Sequence, residues 1–117
     1  MGTPVATVNG LERVAELLLA DADYDAVGVN TDVSVTSNTS LGEETNRTAV
    51  ATRLQQGATI QVRTLHGNGD MPTVVREIGL FLDASSSPGN GDMLIRVDET
   101  FTKSSDDLLV VWEITVS

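Results

Sequence analysis

The 117-residue chain predicts a mainly β protein, a small antiparallel β-sandwich with one N-terminal amphipathic helix. Three observations carry that expectation. Apolar residues recur at helical spacing in one place only, near the start of the chain. From about residue 26 to residue 116 the pattern changes to period-two alternation rich in β-branched residues. Clusters of Gly, Asn, Ser and Asp interrupt those runs where turns are needed. No shift in composition marks a second domain, so residues 1–117 read as a single one, a usual length for one core.

The helix is expected near residues 10–20. Asn9 can cap it, with Glu12 three residues on as the partner of a capping box. Leu11, Val14, Leu17 and Leu18 recur on one side, and Glu12, Arg13 and Glu16 fall on the other. Asp21, Asp23 and Asp25 then read as a solvated acidic helix end. Short strands are expected at Ala26–Val29 and Thr48–Leu54. Residues 31–46, rich in Ser, Thr and Asn, read as a long surface loop or weak edge strand.

In the next strand Ala58, Ile60 and Val62 share one face while Thr59, Gln61 and Arg63 share the other. Gly67-Asn68-Gly69-Asp70 is a turn sequence. Thr73 to Leu82 is apolar on both faces except at Arg76 and Glu77, the pattern of a central strand. After a loop over Ser85–Asp92, Met93, Ile95 and Val97 alternate with Leu94, Arg96 and Asp98. Lys103 to Asp107 reads as a polar turn. The last strand carries Leu108, Val110, Trp112, Ile114 and Val116 on one apolar face, with Glu113 and Thr115 pointing away. Leu109 and Val111 lie on its second face. The strand therefore needs cover from its own sheet or from a neighbouring subunit.

Composition narrows the function classes. Seventeen acidic against seven basic side chains leave a net charge of −10, which disfavours binding to the nucleic-acid backbone or to anionic lipid. The longest apolar run, Leu108 to Trp112, is five residues, against about 20 for a membrane-crossing helix. No basic segment followed by an apolar one suggests a signal peptide. With no cysteine there are no disulfides, thiolate metal sites or thiol nucleophiles. Lys103 is the single lysine among the seven basic residues. Many carboxylates with almost no lysine point to a protein built for high salt, where screening lengths shrink to about 3 Å at 1 M.

Chemistry-bearing motifs are sparse. His66, the only histidine, follows a strand and precedes a glycine turn with no nucleophile motif nearby, so it reads as a surface turn residue. Asp21-Ala22-Asp23-Tyr24-Asp25 resembles the start of a calcium loop, but Ala26 stands where that loop needs glycine and Asp32 where it needs glutamate. Gly67-Asn68-Gly69-Asp70 could offer carbonyls to calcium, although turn formation explains it more simply. Asn38-Thr39-Ser40 and Asn46-Arg47-Thr48 fit the N-glycosylation acceptor pattern. Tyr24, Phe81, Phe101 and Trp112 are too few aromatics for a base-stacking or sugar platform, and Trp112 belongs on the core face. No catalytic, cofactor or metal constellation emerges.

The order of motifs along the chain resembles small virion structural proteins, of the tail-fibre or tail-collar kind, from tailed phages and archaeal tailed viruses. The resemblance runs from the Asn9-Gly10-Leu11-Glu12-Arg13-Val14 helix through the Ala26-Val27-Gly28-Val29 strand to a loop ending Leu41-Gly42-Glu43-Glu44 with Arg47 shortly after. Its strongest piece is Arg76-Glu77-Ile78-Gly79-Leu80-Phe81, followed by Met93-Leu94-Ile95-Arg96. It closes on Phe101-Thr102-Lys103-Ser104-Ser105-Asp106-Asp107 and Leu109-Val110-Val111-Trp112-Glu113-Ile114-Thr115-Val116. The low lysine count and the longer Ser85–Asp92 loop depart from the family.

The resemblance implies a β-rich assembly module located in the virion, with no catalysis and no cofactor. Its partners would be further copies of itself, as a trimer or ring, and other virion proteins, with a host-surface receptor as a further candidate. The first expectation is a repeated subunit of the tail, fibre attachment or baseplate. The second is a capsid decoration or turret protein, and the third a cellular calcium- or carbohydrate-binding β-sandwich. Structural and assembly candidates are Glu77, Gly79, Phe81, Leu109, Val111 and Trp112. Glu77, in an apolar strand, calls for a partner among Arg76, Arg96 and Arg47. Gly79 admits a close neighbour.

Overall fold

A computed structural model describes residues 2, 4–30, 37–102 and 106–117. The chain forms α1 (Val8–Asp21), β1 (Ala22–Gly28), β2 (Glu44–Ala49), β3 (Thr52–Gln56), β4 (Thr59–His66), β5 (Val74–Leu82), β6 (Asp92–Thr102) and β7 (Leu108–Thr115). A single 3₁₀ turn covers Asn68–Asp70. Two antiparallel sheets result, one ordered β2-β1-β5-β6 and the other β3-β4-β7. Segments 31–36 and 103–105 lie outside the described residues, and with them Asp32, Lys103 and much of the expected surface loop and polar turn. The rest of that loop, residues 37–43, leads into β2, an edge strand.

The helix begins two residues earlier than expected. Thr7, not Asn9, caps it: the Thr7 hydroxyl accepts from the Gly10 amide at 3.0 Å. The apolar stripe is also rotated. Ala15 is the buried residue, flanked by half-buried Leu11, Leu18 and Leu19, while Val14 and Leu17 remain about half exposed. A small residue at the contact lets α1 approach β3 and β4 closely. No basic residue stands in the last turn of α1. Arg53 of β3 supplies that charge, donating to the carbonyls of Leu19 and Ala22 at 3.2 and 2.7 Å.

Of the acidic run, only Asp21 is a solvated helix end, the exposed last residue of α1; Asp23 and Asp25 lie in β1, where Asp25 is fully buried between the sheets. Period-two alternation explains the difference: once the chain leaves the helix at Ala22, successive side chains go to opposite faces. The expected Thr48–Leu54 strand is likewise two strands. Val50 N donates to Asp23 O in one sheet and Ala51 N donates to Arg63 O in the other, so the chain changes sheet between them.

β5 is central, as its two apolar faces require. One face, with Leu80, joins Ala22, Val50 and Val62 in the core between the sheets, with Trp112 and Ile114 packed against it. The other face carries Phe81, which forms a second core with Ala26 and Leu41, Met93 and Ala84 packing alongside. The β7 face read from the sequence holds: Val110 is buried, Leu108, Trp112, Ile114 and Val116 are half-buried, and Leu109, Val111, Glu113 and Thr115 are exposed.

Candidate functional site

His66 is not a surface residue. It is fully buried at the end of β4, on the face that carries Ile60, Val62 and Thr64. Its Nε2 lies 2.6 Å from Asp25 Oδ1, and Trp112 Nε1 donates to Asp25 Oδ2 at 2.6 Å. On the other side of the ring, Nδ1 lies 3.0 Å from the Thr48 hydroxyl and 3.3 Å from Asn46 Nδ2. An amide nitrogen only donates, so Nδ1 accepts and the ring hydrogen sits on Nε2, facing the carboxylate. Burial pushes the Asp25 carboxyl above its ordinary value of 3.8, against the opposing pull of its hydrogen bonds to His66 and Trp112.

Hydroxyl, imidazole and carboxylate in a row are the ingredients of a nucleophilic triad. Here the imidazole and carboxylate have no exposed surface, so no substrate atom can reach the base. What the row does is join the sheets. Asp25, Asn46 and Thr48 belong to one sheet, and His66 and Trp112 to the other. Asn46, within one glycosylation pattern, is thus engaged in this network; Asn38, within the other, accepts from Arg96 at 3.2 Å.

Glu77 is the second fully buried carboxylate. Its oxygens accept from three backbone amides, Gly42 at 2.7 Å, Glu43 at 2.8 Å and Asn30 at 2.9 Å. Of the three arginines expected as partners, Arg96 takes the role, at 3.4 Å. The carboxylate therefore pins both ends of the 30–43 segment onto the outer face of the β5 sheet. Gly28 completes the fit, because a Cβ there would stand 2.4 Å from Glu43 O and 2.5 Å from Glu77 Oε2. Gly79 does admit close neighbours: an added Cβ would lie 3.0 Å from Leu41 Cδ2 and 3.2 Å from Phe81 Cε1.

Arg47 stacks over Phe81, with its guanidinium carbon 4.5 Å from the ring centroid, and pairs with both Glu44 oxygens at 2.8 Å. Its remaining nitrogen donates to the carbonyls of Ser85 and Asn90, both at 2.9 Å, and so fastens the 83–91 loop to β2. The buried charges of this molecule thus hold loops and sheets in place.

Apolar groups instead mark the surface. Leu109 and Val111 on the outer face of β7 are 54 % and 45 % exposed, and Leu65, directly opposite Leu109 on β4, is 51 % exposed. A cleft of about 190 Å³ opens beside them, lined by Ile78, Val97, Glu99, Val110, Val111 and Trp112. A second groove, of about 360 Å³, lies along the β3–β4 hairpin, with Leu54, Gln55, Gln56, Ile60, Gln61 and Glu113 among its walls. Among the described residues, no group of three or more His, Asp or Glu side chains is arranged to hold a metal ion. Comparison with protein-family models and with curated proteins finds no match for this chain.

Proposed function

We propose that this chain is a non-enzymatic structural subunit of a tailed-virus particle, repeated at the tail, fibre attachment or baseplate. The observation that carries the reading is where the molecule keeps its chemistry. Its histidine and two of its carboxylates are buried as structural braces, while its outer β7 face offers Leu109 and Val111 beside Leu65. A domain that buries its reactive groups and leaves apolar side chains exposed on one outer strand face points to that surface as its functional part. The motif order described above supplies the particle. Its strongest segment, Arg76 to Phe81, includes a carboxylate that organises a loop and a glycine that seats Leu41. Both suit a rigid assembly module.

The test is a side-chain-level reconstruction of the intact particle. This reading expects density for the chain in a symmetric tail or baseplate ring, in contact with protein neighbours. Density at a fivefold capsid vertex would move it to a turret role. Absence from the particle would overturn the reading.

A further inference from the structure

We infer that two copies of this chain pair through β7, edge to edge and antiparallel, so that the three-stranded sheets of both copies become one six-stranded sheet. The inference rests on the assembly reading for its purpose but on the strand edges for its evidence. Four strands end the two sheets: β2, β6, β3 and β7. Natural edges are guarded by charge, bulges, shortness or a covering element. β2 carries the Glu44–Arg47 pair. β6 carries Asp92, Arg96, Asp98 and Glu99, and its register with β5 shifts twice. β3 is five residues long and is held to α1 through Arg53 and Gln55. Among the described residues, β7 has none of these guards. It runs eight residues in unbroken register with β4, contains no Pro or Lys, and carries one charge, Glu113.

A second copy fits this edge in a register that keeps like charges apart. In an antiparallel pair, directly opposed side chains share a face. Setting Val111 opposite a second copy's Val111 places Leu109 opposite Glu113 and Val110 opposite Trp112. Each acidic residue near the edge meets an uncharged one: Asp106 faces Val116, Asp107 faces Thr115 and Glu113 faces Leu109. A shift of two residues one way sets Asp107 against Glu113, whereas a shift the other way keeps the acids apart but sets Trp112 against Trp112. The chosen register also continues the inner face, bringing a second Val110 and Trp112 to the side where the apolar cleft opens. A two-fold contact of this kind is self-complementary and closed. Because each copy carries −10, the pairing should strengthen as salt screens the repulsion.

Sedimentation equilibrium of the full chain, from about 0.1 M to about 3 M KCl, tests the pairing. The expected result is a mass of two chains at high salt, returned to one chain by Val111→Lys, which opposes two ammonium groups at the centre. Leu54→Lys, on the far edge of the same sheet, should leave the dimer intact. The chain has no cysteine, so Val111→Cys with a short bis-maleimide should yield a single covalent dimer. Val111→Lys that unfolds, as seen by circular dichroism, would leave the cross-link to decide. A monomer at every salt concentration, or an oligomer that neither cross-links at 111 nor responds to Val111→Lys, would overturn the pairing. An oligomer of that second kind found within the particle would leave the assembly reading standing. A cross-linked dimer absent from the particle would do the reverse.

Discussion

Asp25 and Glu77 are both fully buried carboxylates, and their surroundings give them different energetics. Glu77 accepts three amide hydrogens and faces Arg96, so its charge is well satisfied. Glu77→Leu orphans those amides and leaves Arg96 without this carboxylate. It should cost about 3–5 kcal/mol in urea unfolding, with faster proteolysis in the 37–43 segment. Asp25 has two side-chain donors, and burial outweighs them, raising its carboxyl above 3.8 in the folded state. The folded chain therefore holds the Asp25 proton more tightly than the unfolded chain. The associated stability is fully present below about pH 3.8 and is lost as pH rises through the raised folded value. Asp25→Asn removes that loss and can still accept from Trp112. Unfolding free energies measured from pH 3 upward, about the acidic limit for carboxylates, should show the variant gaining on the native chain as pH rises and then levelling. A constant difference across that range would refute the buried ionisation. The role of His66 was legible in principle. Extending the Ile60–Val62 alternation by two steps places Thr64 and His66 on the inward face. Its partners were not legible, because Asp25 and Trp112 lie far away in sequence and only the stacking of the sheets brings them together.

At the scale of elements, the strands with continuous patterns were the readable ones. β5 and β7 announced their faces because each is long and dominated by apolar, largely β-branched or aromatic residues. Boundaries failed where two elements abut without a turn. α1 passes directly into β1 at Ala22, and β2 gives way to β3 across Val50 and Ala51, so no glycine or proline announces either change. Hydrophobicity alone points to the larger Val14 and Leu17, whereas α1 seats itself on a small residue, Ala15. Gly79 shows the opposite case, a glycine inside a strand whose meaning was clear. Gly79→Ala would put a methyl 3.0 Å from Leu41 and 3.2 Å from Phe81, also 3.4 Å from the Met93 sulfur. Leu41 and Phe81 must yield together, and both belong to the Phe81 core. A loss of about 1–3 kcal/mol in thermal or urea unfolding is expected. A neutral or stabilising result would mean that the segment carrying Leu41 yields easily.

The whole molecule is an acidic body whose positive charges are largely tied down. Arg47 and Arg96 are buried against Glu44 and Glu77, Arg53 serves the end of α1, and Arg13 pairs with Glu16 on the helix surface. The carboxylates of Asp21, Asp83, Asp92, Glu99, Asp107 and Glu113, by contrast, are exposed. Repulsion among them opposes the compact state, and the effect weakens as the screening length falls from about 10 Å at 0.1 M salt to about 3 Å at 1 M. The thermal midpoint at neutral pH should therefore rise from about 0.1 M to about 3 M KCl. Salt also strengthens apolar burial in general, which would raise the midpoint without any role for charge. The two causes separate near the isoelectric point, about pH 4.2, where protonation removes most of the repulsion. If repulsion is the cause, the salt slope at that pH should shrink to a fraction of its neutral value. An equal slope at both pH values would assign the effect to apolar burial, and a flat or falling midpoint at neutral pH would remove the case for a protein adapted to high salt.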